Sequence, residues 1–314
     1  MRLLYATLVL MLLECSGAAS ASEPAAADVC RFSTIDAFDP ELAPDARRRA
    51  VEALAVAAAH PACDSGPDYQ LGLLYRHGPD LPGNPLPRDA ARARELIGRA
   101  AREGRIQGYA ELAEMALADG DAPEAMRWTQ GYLLEVRRAG IAGDFDLQGY
   151  NADLLRRAAG ALKRAGLPSG GKALTAALKA HLAREQSARE ADQALGQTSQ
   201  VGTAAGAASA SLAEGSGDEI DLRVKRRPTD DYDLRELLLD GGRVDYLLEV
   251  QPDGRVSRIV VETFSPTWRH AQVLRQLVEA VEFHPHTAAE PQVVRIPVIY
   301  GYVGPDGPRL KRQR

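Results

Sequence analysis

Apolar positions along this chain repeat with two different periods, and the change between them divides it. In residues 44–59, Val51, Leu54, Ala55 and Ala58 fall at i, i+3, i+4 and i+7, one stripe of a helix. His60-Pro61 ends that run, because a residue before proline avoids the α region. Further helices are predicted over 69–78, 88–104, 109–120 and 123–132, then 150–165 and 171 to about 195. Gly166 and Pro168 to Gly171 supply the stop and restart between the last two. From Gly242 the period drops to two. Val244, Tyr246, Leu248 and Val250 alternate with Asp245, Leu247 and Glu249, which predicts a strand with one buried face and one only partly polar.

Pro252-Asp253-Gly254 is a turn with a mechanism, since proline presets φ and glycine accepts positive φ. Val256, Ile259 and Val261 continue a second strand. Residues 268–281 then set Leu274, Leu277, Val278 and Val281 on one helical face, and 293–300 read as a last strand. A short helix is predicted over 231–239. Pro297 cannot donate to a ladder, so the last strand belongs at a sheet edge or strand end.

The expected fold class is multidomain: an α-helical repeat region followed by a small α+β domain. The boundaries are 1–21 signal peptide, 22–43 N-terminal strap, 44–195 helical repeats, 196–217 linker, 218–304 α+β domain and 305–314 basic tail. The linker reads GQTSQVGTAAGAASASLAEGSG, a flexible Gly/Ala/Ser stretch with no core-forming pattern.

Two family resemblances sharpen this outline. The strand containing Val244, the Asp253-Gly254-Arg255-Val256 turn, the helix running into Phe283-x-Pro285 and the closing Val294-Arg295-Ile296-Pro297-Val298 make residues 228–303 resemble the C-terminal domain of TonB-type energy transducers. In residues 65–140, Leu71-Gly72-x-x-Tyr75 with Gly78, an acidic opening to the second helix, and Trp128 resemble the Sel-like repeat, a relative of the tetratricopeptide repeat. Small residues Gly72, Ala93, Ala100, Ala113 and Ala125 would let helices approach, with Leu71, Tyr75, Leu96, Leu112 and Trp128 filling the seam. The TonB resemblance implies that a partner's extended peptide adds to the last strand, making Val293, Val294, Arg295, Ile296, Val298, Ile299 and Tyr300 the candidate binding residues. The other reading is that Pro297 and Arg295 only protect an edge from aggregation.

Composition adds the compartment. Arg2, an apolar run over residues 3–13 and Ala19-Ser20-Ala21 read as a secretory signal peptide cleaved before Ser22. The run is too short for a bilayer, which takes about 20 residues, so no stable membrane span is expected after cleavage. Leu12-Leu13-Glu14-Cys15 resembles a lipobox, but Glu14 stands where a small residue belongs, so soluble export to the periplasm is the expectation. Of three cysteines, Cys30 and Cys63 survive cleavage, and in an oxidising compartment the pair is expected to form a disulfide. A net charge of −5 gives no electrostatic case for nucleic acid.

Chemistry is harder to find. His284-x-His286, with His270, lacks a cysteine or clustered carboxylate for a metal set. Gly170-Gly171-Lys172 lacks the upstream glycine and following hydroxyl of a phosphate loop. The acidic residues from Asp36 to Asp45 read as a solvated strap without the alternating ligands of a calcium site. Arg223 to Arg227 and the basic tail read as solvated charge. No metal, cofactor or catalytic residue is expected. The expected function is a non-enzymatic periplasmic adaptor, binding envelope proteins or peptides through the helical groove and the last-strand edge. An accessory role in TonB-type outer-membrane transport is the alternative. The soft linker and the missing Tyr-Pro motif ahead of the first strand depart from true transducers. A β-lactam-binding enzyme is a third reading, disfavoured because 69–104 and 109–132 lack the cysteine pairs such repeats carry.

Overall fold

Side-chain caps set where the helices begin. Ser33 accepts from the amide of Asp36 at 3.4 Å and opens α1 (Thr34–Phe38). Pro44, in the first turn, opens α2 (Pro44–Ala59), which stops at His60 as the proline rule requires. Next comes α3 (Gly66–His77). Asp89 caps α4 (Ala90–Arg102) and Asp121 caps α6 (Ala122–Arg138), each accepting the backbone N–H three residues on. Between them lies α5 (Ile106–Ala118), and α7 (Tyr150–Arg164) and α8 (Gly171–Ser199) complete the helical part. The computed structural model describes residues 29–139, 150–199, 224–226 and 242–300. The signal peptide expected over 1–21, the linker beyond Ser199, the helix expected over 231–239 and the basic tail lie outside the described residues.

From α1 to α7 each helix packs on the next and α8 packs on α6, and one close approach falls where the sequence placed a glycine. A Cβ on Gly72 of α3 would stand 2.6 Å from Ile97 Cγ1 of α4, so only hydrogen lets these two axes close. The helices expected over 88–104 and 109–120 form with shifts of two or three residues at their ends. α8 runs to Ser199, so the first four residues assigned to the linker, 196–199, are helix instead.

The remaining elements are β1 (Val224–Arg226), β2 (Gly242–Val250), β3 (Val256–Ser265), α9 (Trp268–Glu279), β4 (Glu282–Phe283) and β5 (Gln292–Tyr300). β1 pairs with β4, and the larger sheet has the order β3-β2-β5, antiparallel throughout. At the hairpin Gly254 takes φ 86°, and Gln251 donates to Arg255 at 2.8 Å. One face of β2 packs under α9, where Tyr246 Oη donates to the carbonyl of Ala271 and Leu274, Leu277 and Val278 are buried.

The other face departs from expectation. Asp245 and Leu247 are as buried as Val244 and Leu248, because the helical array covers them. α1 and α3 touch β3, and α7 touches β2. One hydrophobic core therefore runs from Phe38, Leu74 and Tyr109 into Tyr246, Val260 and Leu277. The sequence placed 44–195 and 218–304 on either side of a linker; in the structure their described parts share that core.

The strap before α2 is also integrated. Cys30 and Cys63 are bonded, with Cα atoms 5.4 Å apart, the pairing expected from the sequence. Ile35, Ala37 and Phe38 are buried. Arg47 of α2 reaches Ala37 O at 3.1 Å and Pro82 O at 2.6 Å, stapling α1 to the loop after α3. Burial pushes that guanidinium down to about 10, against the opposing pull of Asp39.

Candidate functional site

β5 is a terminal strand. On one side it pairs with β2 from Val250↔Gln292 to Gly242↔Tyr300. Among the described residues no strand pairs with its outer side. Pro297 lies at this edge, opposite Asp245, where the sequence placed it. Val293 is 44% exposed, and among the candidate residues with described side chains it alone presents a large apolar surface to water. Val294, Ile296 and Val298 are half-buried against the core. Arg295 is turned inward: both its Nε and Nη2 donate to the carboxylate of Glu262, and its guanidinium lies 6.0 Å from the Tyr69 ring. Ile299 and Tyr300 lie opposite Arg243 and Gly242, their side chains outside the described residues.

A cavity of about 390 Å³ opens among α2, α3 and α4. Ala55, Ala58, Leu71 and Leu96 give it an apolar floor, and His60, Cys63, Asp64 and Glu103 rim it. Arg99 closes one wall by gripping Asp68 with two nitrogens, Nη2 at 2.6 Å. Burial, then the neighbouring Asp68, holds the Glu103 carboxyl above its ordinary value.

The densest chemistry sits between helices and sheet, and sequence reasoning missed it. Arg76 of α3 pairs with Glu111 of α5, and Thr263 of β3 lies 3.4 Å from that carboxylate. His77 Nε2 meets the same Thr263 hydroxyl at 2.9 Å while its ring stacks on Phe264 with centroids 4.2 Å apart. Burial, then Arg76 and Arg88, pushes His77 well below its ordinary value, so it is neutral at neutral pH. Glu114 accepts from Tyr150 Oη at 2.9 Å and from Arg157 Nη1 at 2.8 Å. Burial drives Glu114 up, but Arg157, Ser265 and Arg76 together outweigh it and the net shift is down. Arg243 donates to Asp245 at 2.7 Å on the fully buried face of β2. The available signal was the pair of glutamates in the otherwise apolar run YAELAEMALA of α5. A helix face carrying such residues must meet either water or a charged partner.

The acidic strap also needs correcting. Asp36 and Asp39 are not simply solvated: Arg258 of β3 donates to them at 2.6 and 3.4 Å. His284 is exposed, His286 leans on the carbonyl of Val250 at 3.3 Å and His270 bonds Thr267 at 2.8 Å. Those three histidines join no metal-like group among the described residues; the group that does form is Cys30, His60 and Cys63. No described helix is long and apolar enough to cross a membrane. Compared with family models, curated proteins and solved structures, the chain matches none.

Proposed function

We propose that this chain is a protein-binding adaptor of the cell envelope, exported to the periplasm, which takes an extended segment of a partner along the outer side of β5. The observation that carries the reading is the terminal position of β5, with Val293 exposed on it. An unpaired edge offers a row of N–H and C=O groups, and an incoming strand satisfies them while pockets beside it select side chains. The resemblances to a TonB C-terminal domain and to Sel-like repeats support the same class of role.

Particular residues set its limits. Pro297 has no N–H to offer, so an added strand gains most over the Gln292 to Ile296 half of β5. Arg295 is committed to Glu262, so it braces the edge across the sheet rather than meeting the partner. The groove floored by Leu71 and Leu96 gives a second place for a peptide side chain. Where helices meet sheet, Thr263 contacts Glu111 and His77 while Tyr150 and Arg157 take up Glu114, and none of these residues lines the cavity. This reading therefore assigns no catalysis.

A photo-crosslinking residue placed at Val293 in the full chain tests the proposal, with one at the exposed Val56 of α2 as control. Discrete adducts from envelope extracts are expected at Val293 and not at Val56. The captured segment, added as a synthetic peptide, should then slow hydrogen exchange along β5. Equal adducts at both positions, or a peptide that leaves β5 exchange unchanged, would reject it.

A further inference from the structure

His60 stands beside the disulfide, and its role as a helix stop does not account for the company it keeps. Its ligand nitrogen and the sulfurs of Cys30 and Cys63 all lie within 4.8 Å of one another, each residue half-buried. His60 and Cys63 also line the cavity between α2, α3 and α4. We propose that the dithiol form of this chain binds zinc(II) through Cys30, Cys63 and His60, so that a metal and a disulfide alternate as the staple at one place in the fold.

The donor set suits the ion. Two thiolates and an imidazole form a soft, tetrahedral zinc set whose fourth position is left open, and here the cavity adjoins it. With zinc–sulfur bonds of about 2.3 Å, two thiolates on one ion sit about 3.8 Å apart. Their Cα atoms, 5.4 Å apart, can stay where they are while the side chains turn. The Ala62 amide donates to His60 Nδ1 at 3.2 Å, which leaves the ring proton on Nε2 and the lone pair on Nδ1. That bond is long and exposed, so a metal can replace it at small cost.

The step balances. A newly made chain carries two thiols and needs no reductant. In the oxidised chain, a dithiol reductant transfers two electrons and two protons, becomes a disulfide itself and leaves Cys30 and Cys63 as thiols. Zinc then binds as both thiols lose their protons. Either cross-link ties the segment before α1 to the turn between α2 and α3.

The test titrates zinc into the full chain, reduced by a phosphine under anaerobic conditions, against a chromophoric chelator. The expected result is one zinc per reduced chain and none in the oxidised chain. Losing even a residue that supports a ligand costs about 10–100-fold in metal affinity, so His60→Ala should weaken binding by at least that much. Cobalt(II) in place of zinc should show sulfur charge-transfer bands with the intense visible spectrum of a tetrahedral site, weakened in His60→Ala. Equal affinity in His60→Ala, an octahedral cobalt spectrum, or equal zinc uptake by the oxidised chain overturns the proposal. If reduction loosens the helices, zinc should restore their circular dichroism; failure to do so also overturns it.

Discussion

Arg258 of β3 donates to Asp36 of α1 at 2.6 Å, across 222 positions of sequence. The same guanidinium holds Glu249 of β2, so one side chain joins two strands to a helix. Both Arg258 and Asp36 keep 31% of their side-chain surface in water, which limits the worth of the pair. A double-mutant cycle of Arg258→Ala and Asp36→Ala, read by urea unfolding, should give a coupling of about 0.5–1 kcal/mol that shrinks in salt. A coupling indistinguishable from zero at low salt would mean that the sheet docks without this contact.

Buried charge at the same interface should cost more. Glu114 receives Tyr150 and Arg157 in a nearly closed site. Glu114→Gln leaves Arg157 with Asp153 as its remaining carboxylate partner, Nε to Oδ2 at 2.7 Å. Breaking a buried pair costs about 3–5 kcal/mol. Because Asp153 stays, a loss near the lower end, about 3 kcal/mol, is expected by urea unfolding. A loss below about 1 kcal/mol would place this glutamate in water rather than in the interface.

These contacts mark where sequence reading stops. The helices and the hairpin were legible because their signals are local: the stripe at Val51 and Leu54, the stop at His60-Pro61, the turn at Gly254. Alternation along β2 also told which residues share a face. It could not tell whether water or protein covers the second face, since Asp245 reads the same either way. Its cover is supplied by helices far earlier in the chain, α1, α3 and α7, and pairs such as Thr263 with Glu111 leave no periodic trace. The edge position of β5 was legible from Pro297, whereas the inward turn of Arg295 depends on Glu262 in another strand. The disulfide followed from cysteine count and the compartment expected from residues 1–21, but nothing in the sequence placed His60 beside it.

Gly72→Ala tests the approach of α3 to α4. Alanine favours a helix interior by about 1 kcal/mol over glycine, yet its Cβ would sit 2.6 Å from Ile97 Cγ1. Overpacking of this kind costs about 1–3 kcal/mol, so a net loss of about 1 kcal/mol is expected in urea unfolding. Ile97→Ala removes the obstructing atom. The double variant should be less destabilised than the sum of the singles, and strict additivity would show that α3 and α4 do not meet here.

His77 gives the fold a pH dependence whose sign follows from its burial. Its folded pKa lies well below the ordinary 6.5, chiefly through desolvation, with Arg76 and Arg88 adding to the effect. Below pH 6.5 the unfolded chain takes up a proton that the folded chain refuses, so the contribution of His77 to stability is intact above that pH and lost as pH falls toward the folded value. One such proton corresponds to a slope of about 1.4 kcal/mol per pH unit. Urea unfolding between pH 7 and about 5, compared between the unchanged chain and His77→Gln, reads the effect. His77→Gln should flatten the slope, even though it loses the stacking on Phe264 and is less stable at pH 7. An unchanged slope in His77→Gln would place the proton elsewhere and His77 in contact with water.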